Sequence, residues 1–200
     1  MNLLILYPSL FLSFSKFERK LENILSEKVP ETVSYCSDFN RFIEKYIADH
    51  LSNVSKERIS DFGFEAVTHA VIFDDGEEFL EELADLRLRG VLVRRIRIKI
   101  TRVINIRKET EYKGLISNEK YEYIGRGSYW GNPYSMYEDG DDRREVIRKF
   151  KYDFDFEKFP NKDKSEVYKL AGKRLGCFCK PEACHGDVLA DFLNSWDDGE

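Results

Sequence analysis

The sequence predicts an α/β protein in two parts: a parallel sheet covered by helices, then a small α/β module carrying a Cys/His cluster. Three observations lead there. Apolar runs of strand character alternate with helical periodicity through the first hundred residues. A glycine-rich loop containing Gly125, Gly127 and Gly131 then breaks that rhythm. Near the end, Cys177, Cys179 and Cys184 fall within eight residues, whereas Cys36 stands alone.

The elements follow in order. Residues 3–7 are a continuous apolar run suited to a strand buried on both faces, and Pro8 ends it. A helix is expected over 15–26 and a short second strand over 32–36. The clearest helix comes next, because Phe39, Phe42, Ile43, Tyr46, Ile47, His50 and Leu51 recur at helical spacing behind Asp38, a natural N-cap. Residues 66–73 form the third strand, and Asp74-Asp75-Gly76 turns it into a helix carrying Phe79, Leu80, Leu83 and Leu86. Gly90 stops that helix, and a fourth strand begins at Val91. Such alternation implies parallel strands covered on both faces, with ligands outside their carboxyl ends. Those ends are Tyr7-Pro8-Ser9, Cys36-Ser37-Asp38 and Phe73-Asp74-Asp75-Gly76.

In the second half, a strand over 121–124 runs into Gly125-Arg126-Gly127-Ser128-Tyr129-Trp130-Gly131-Asn132-Pro133-Tyr134. Asp141 starts a charged helix with Val146, Ile147 and Phe150 inward. A helix around 167–170, a strand ending in the cysteines and a final helix over 187–196 complete it, and the acidic tail is expected to fray. The division expected from these patterns is 1–110 and 111–200.

Composition sets bounds. With 42% apolar and 14% aromatic residues the chain can build a core, which excludes a mainly disordered protein. Against 37 acidic side chains stand 32 basic ones, a net charge of −5, which argues against a generally basic nucleic-acid coat. No apolar run approaches the ~18 residues that span a bilayer. Leu3-Leu4-Ile5-Leu6 lacks a cationic leader and reads as a first strand rather than a signal peptide, so a cytoplasmic protein is expected. Clustered cysteines in such a chain point to metal or redox chemistry rather than to a disulfide scaffold.

Residues 87–108 hold nine basic side chains and no acidic ones. Arg95, Arg97 and Lys99 alternate with Ile96, Ile98 and Ile100, the period of a half-buried strand. The face is either a solvated sheet surface or an anion-binding one for a nucleotide or nucleic-acid backbone.

The run Thr68-His69-Ala70-Val71-Ile72-Phe73-Asp74-Asp75-Gly76, followed by a helix and Arg89-Gly90-Val91-Leu92-Val93-Arg94, resembles the SLOG superfamily, and the likeness covers about residues 1–105. The resemblance implies a Rossmann-like domain that binds nucleotides or nucleotide-derived ligands; some relatives bind single-stranded DNA or cleave a phosphoribosyl bond. The chain departs from that pattern where phosphate would sit. Tyr7-Pro8-Ser9 replaces a Gly-Ser-Arg type of turn, and Tyr35-Cys36-Ser37-Asp38 replaces a glycine-rich loop. Any Cβ there intrudes on a phosphate. The first half is then either a scaffold or partner surface, or a site using Ser9, Ser37 and Asp75.

The glycine-rich loop together with Gly176-Cys177-Phe178-Cys179-Lys180-Pro181-Glu182-Ala183-Cys184-His185-Gly186-Asp187 is similar to a phage and bacterial family, domain of unknown function 4326, over about residues 112–196. That resemblance implies no activity. The residues themselves argue further. Cys177, Cys179, Cys184 and His185 offer soft and borderline ligands suited to tetrahedral Zn2+, structural or catalytic, provided a turn aims the adjacent Cys184 and His185 at one point. The alternatives are three cysteine ligands with an open or borrowed fourth position, or buried thiols with His185 capping a helix. In a ligand-binding reading, Gly125, Gly127 and Gly131 permit close approach, Arg126 pairs with phosphate, Ser128 and Asn132 hydrogen-bond, and Trp130 or Tyr129 stacks on a base; a tight turn that packs Trp130 into the core explains the same residues without a ligand. His185 or Asp187 would then be the general acid/base, unless Asp187 is only a first-turn cap.

The expected function is binding or processing of a nucleotide-type ligand, by N-glycosidic or phosphoester cleavage if the chain is an enzyme, in a host cytoplasm if phage-encoded. Its rival is a non-catalytic protein that binds nucleic acid or a host factor through the basic strand, with zinc structural. No membrane partner is expected, and oligomeric state is not legible.

Overall fold

The computed structural model describes residues 1–26, 28–60, 62–136 and 140–199. Two compact units emerge, Met1–Ile98 with Ser195–Glu200, and Lys99–Asn194.

In the first unit the order is β1 (Asn2–Leu6), α1 (Phe14–Leu25), β2 (Thr32–Tyr35), α2 (Phe42–His50), β3 (Ser55–Arg58), β4 (His69–Asp74), α3 (Leu80–Leu88) and β5 (Leu92–Arg97). All strands are parallel in the order β3-β2-β1-β4-β5, a Rossmann-like sheet whose direction of winding reverses at β1. Alternate side chains divide the core. Leu4, Leu6, Ala70 and Ile72 meet Leu83 and Leu86 of α3. On the other face Tyr7 stacks on Phe42 of α2 at 5.5 Å, and Phe73 on Phe17 of α1 at 4.9 Å. Each such burial stabilises by about 1.5–3 kcal/mol.

Three sequence expectations need correction here. Strand β3 was not anticipated, because Ser55, Lys56, Glu57 and Arg58 are all exposed and carry no apolar signal; only the open edge of β2 organises them. Phe39 does not join the apolar stripe of α2: the helix begins three residues later, and Phe39 is 61% exposed. The acidic tail is tied down, with Asp198 paired to the buried Lys16 and Asp197 to Arg19 at 2.7 Å.

The second unit contains β6 (Arg102–Asn105), β7 (Tyr121–Tyr123), α4 (Arg143–Asp155), β8 (Arg174–Cys177) and α5 (His185–Ser195), with 3-10 turns at Thr110–Tyr112 and Lys164–Leu170. Its sheet is parallel, ordered β6-β8-β7. Strand β6 lies before residue 110, yet it pairs within this second sheet. The alternation of Ile96, Ile98 and Ile100 inward with Arg95, Arg97 and Lys99 outward is as the period predicts. Asp142, rather than Asp141, caps α4, accepting from Glu145 N at 2.7 Å. Trp130, Phe150, Phe154, Leu175 and Leu189 form the core, with Cys177 and Cys184 at its edge.

Candidate functional site

Strand β8 delivers Cys177, and the start of α5 delivers His185. Between them the chain turns through Cys179 and Cys184, with a hydrogen bond from Glu182 N to Cys179 O at 3.0 Å. This turn removes the difficulty of adjacent ligands, since Cys184 Sγ and His185 Nδ1 lie 3.7 Å apart. His185 Nε2 donates to the Ile124 carbonyl at 2.9 Å, which leaves the Nδ1 lone pair facing the sulfur. Gly186 N donates to Cys184 Sγ at 3.4 Å, and a Cβ on Gly186 would strike Ile124. Cys177 Sγ is 3.5 Å from Cys179 Sγ. The donor atoms of Cys177, Cys184 and His185 lie within 4.8 Å of one another, all buried, and could hold a metal ion.

The electrostatics of this cluster are polarised. A hydrogen bond from the Cys184 thiol, and then the neighbouring His185, hold Cys177 well below the usual thiol range. The same hydrogen bond pushes Cys184 up, with burial adding to it. Burial also lowers the pKa of His185, against the pull of the neighbouring Cys177, which is the direction that a neutral imidazole ligand requires. Asp187, expected as an alternative acid/base, has other work. One oxygen accepts from Cys184 N at 2.9 Å, and the other pairs with Lys180 at 2.7 Å. It is absent from the cavity wall described below.

The glycine-rich loop is shaped first by its own packing. A Cβ on Gly131 would sit 2.6 Å from the Gly125 carbonyl oxygen, one on Gly125 would run into Tyr123, and Gly127 has a φ of +84°. Ser128 Oγ donates to Gly125 O at 2.8 Å. Asn132 donates to Val146 O at 3.1 Å and accepts from Tyr134 N at 3.0 Å. Of the two expectations for Trp130, base stacking and core packing, the structure bears out the second: it is 3% exposed and packs edge-on against Phe154. Tyr129 is exposed.

Loop and cluster, some fifty residues apart in the chain, line one cavity of about 200 Å³. Gly125, Arg126 and Asn132 of the loop line it together with Cys177, Cys179, Cys184 and His185 of the cluster. Arg143 completes it, donating to Ala183 O at 3.2 Å and hydrogen-bonding Cys179. Sequence reasoning missed Arg143. It is the first residue of a helix rich in lysine and arginine, and nothing local distinguishes it from its neighbours. Among the described residues, Arg126 has no hydrogen-bond or ion-pair partner, and no carboxylate lines the cavity.

The carboxyl ends of the first sheet are arranged differently. Asp38 accepts from Ile43 N at 3.1 Å, Glu44 N at 2.9 Å and the Tyr7 hydroxyl. The chain's own carboxylate thus sits on the amides of α2 that a phosphate would meet. Asp75 likewise accepts from Glu77 N and Glu78 N, each at 3.0 Å. Ser9 offers its carbonyl to Asn40, 3.0 Å away, while Ser37 borders a cavity of about 250 Å³ rimmed by Glu78, Glu81 and Glu82.

A Rossmann-like unit joined to a compact Cys/His module is the class of protein that this fold and site define. Residues 1–104 match the Minimal SLOG domain family, and the chain belongs to it; residues 104–195 match the Domain of unknown function (DUF4326) family. Over 72 residues the chain is 42% identical to the "Uncharacterized 12.4 kDa protein in nrdA-td intergenic region" of Enterobacteria phage T4, a match covering 36% of this chain and 65% of that protein. The chain therefore spans just under two thirds of that relative's length. No solved structure matches. Among the described residues no helix is long and apolar enough to cross a membrane.

Proposed function

We propose that the second unit binds a nucleotide-type anion between its glycine-rich loop and a zinc-bearing Cys/His cluster. The observation that carries this reading is the shared cavity, lined by Arg126, which has no partner among the described residues, by Arg143 and by the Cys/His donors. SLOG domains are generally binders of nucleotide-related ligands, which agrees in ligand class.

Zinc fits the donor set. Zn–S of ~2.3 Å and Zn–N of ~2.0–2.1 Å give tetrahedral edges of about 3.8 Å between sulfurs and about 3.6 Å from sulfur to nitrogen. The Cys177–Cys179 and Cys184–His185 separations are 3.5 and 3.7 Å. The His185–Ile124 hydrogen bond is the kind of outer contact that orients a ligating imidazole. Zinc there staples β8 to α5, and with one position open it would also polarise a ligand oxygen or water. Binding is favoured over cleavage by side chains alone, because His185 is committed to the cluster and Asp187 to its helix cap and Lys180.

A second reading rests on the first unit. Its crevice is closed by Asp38 and Asp75, while Arg94 and Arg97, on opposite faces of the edge strand β5, leave a basic edge exposed, Arg95 being paired with Asp74. That surface suits a nucleic-acid backbone or an acidic host protein, with zinc only structural.

The test is elemental analysis of protein purified without added metal, then calorimetric titration with nucleoside phosphates. About one zinc per chain is expected, lost in Cys184→Ser and kept in Cys36→Ser. Arg126→Ala and Arg143→Ala should each weaken phosphate-bearing ligands about 10- to 150-fold, the equivalent of ~1.5–3 kcal/mol. Metal-free protein of native stability would end the zinc assignment. Salt-sensitive binding of DNA or RNA, with no nucleotide bound, would give the second reading the lead.

A further inference from the structure

The glycine-rich loop has two faces. Arg126 and Asn132 look into the arginine cavity, whereas Ser128, Tyr129 and Pro133 border a second cavity of about 510 Å³. Tyr134 lines both. The first cavity, about 200 Å³, falls below the ~300–1,000 Å³ of ordinary ligand pockets, and the second lies within that range. A phosphoryl group and its sugar suit the first; a whole nucleotide needs more room.

The second cavity has the chemistry to supply that room. Its walls are aromatic, with Tyr129, Tyr134 and Phe159 along them. Tyr129 is half exposed but not loose: its hydroxyl accepts from Asp163 N at 2.8 Å, and its ring stands edge-on to Trp130 at 5.2 Å. A ring fixed in that way is a stacking platform whose ordering entropy is already spent in folding. Polar groups flank the rings. Lys162 lies over Phe159 at 4.1 Å, and Asp153 accepts from the Tyr134 hydroxyl. One is a donor and the other an acceptor, as the edge of a heteroaromatic base requires.

We propose that this second cavity is the nucleobase subsite of the same ligand, with its phosphate on Arg126 and Arg143, its base against Tyr129, and Tyr134 at the junction. The assignment rests on the anion-binding reading above and adds to it the side on which the base lies. Of the two rings that could stack, it selects Tyr129, since Trp130 is enclosed in the core.

The experiment titrates the full chain with inorganic phosphate, ribose 5-phosphate and the nucleoside monophosphates AMP, GMP, CMP and UMP. At least one monophosphate should bind about 5- to 150-fold more tightly than ribose 5-phosphate, the range that base–aromatic stacking supplies. Tyr129→Ala should abolish that advantage and leave ribose 5-phosphate affinity unchanged, while Tyr129→Phe keeps most of it. Arg126→Ala should weaken both classes alike. If monophosphates bind no better than ribose 5-phosphate, or if their advantage survives Tyr129→Ala, the subsite is overturned and anion binding stands. Failure of phosphate and of every nucleotide to bind overturns both.

Discussion

Replacing Asp38 by alanine tests whether the first unit closes its own crevice. The side chain makes three contacts: Ile43 N at 3.1 Å, Glu44 N at 2.9 Å, and the hydroxyl of Tyr7, which is 1% exposed. Arg41 occupies the cap position of α2 without a side-chain capping hydrogen bond, so no other group replaces the carboxylate there. Losing the cap costs ~1 kcal/mol, losing the charge at the helix N-terminus ~0.3–1, and leaving a buried hydroxyl donor unmet ~1–3. The sum, about 2–5 kcal/mol, is a large share of the ~5–15 kcal/mol that holds an ordinary domain. Asp38→Asn keeps one acceptor oxygen but presents an NH2 where the other accepted, so it should lose the charge and one hydrogen bond, about 1–3 kcal/mol, and less than Asp38→Ala. Urea unfolding followed by circular dichroism gives the free energies, and amide exchange at Ile43 and Glu44 reports the cap directly. A double-mutant cycle with Tyr7→Phe should return a coupling of at least about 0.5 kcal/mol. If Asp38→Ala loses less than that, with Ile43 and Glu44 still protected, the carboxylate is not what closes the site.

Two further perturbations separate shape from chemistry. Gly131→Ala puts a Cβ 2.6 Å from one carbonyl oxygen and 3.1 Å from another, both backbone, so thermal unfolding should show a loss of about 1–3 kcal/mol together with weakened anion binding. Gly127→Ala meets open space but a φ of +84°, so about 1 kcal/mol with binding intact is expected; equal binding losses in the two variants would refute the distinction. At high pH, Tyr46 is pushed up to about 12 by burial, and Tyr134 to about 12 by its hydrogen bond to Asp153. Both ionise near 10 when unfolded, so folding favours the neutral phenols. That contribution is full below about pH 10 and is lost as the pH rises to about 12, which urea unfolding on either side of the window would measure. Tyr134→Phe should shallow the decline.

Local signals carried most of the first unit. Apolar runs marked β1 and β4, helical spacing marked α2 and α3, and Asp38 was legible as a cap although the helix starts later than its apolar stripe suggests. The cysteine spacing and the glycine-rich loop were equally visible, because ligand types and turn residues are properties of the chain itself. Edge strand β3 was not, since Ser-Lys-Glu-Arg has no preference that survives without a neighbouring strand to bond.

What the sequence determined by itself was the alternation of elements and the inventory of donors: three clustered thiols, one imidazole and a loop that tolerates tight turns. The tertiary structure decided which of these meet. It put Arg143, an ordinary helix residue, across from Cys179, decided between stacking and core packing for Trp130 by burying it, and set Asp187 to capping rather than to the cavity wall. The physical reason is reach. Propensity and period act over a few neighbouring residues, whereas a cavity is closed by side chains brought together from across the sheet, and only packing of the whole unit fixes which side chains those are.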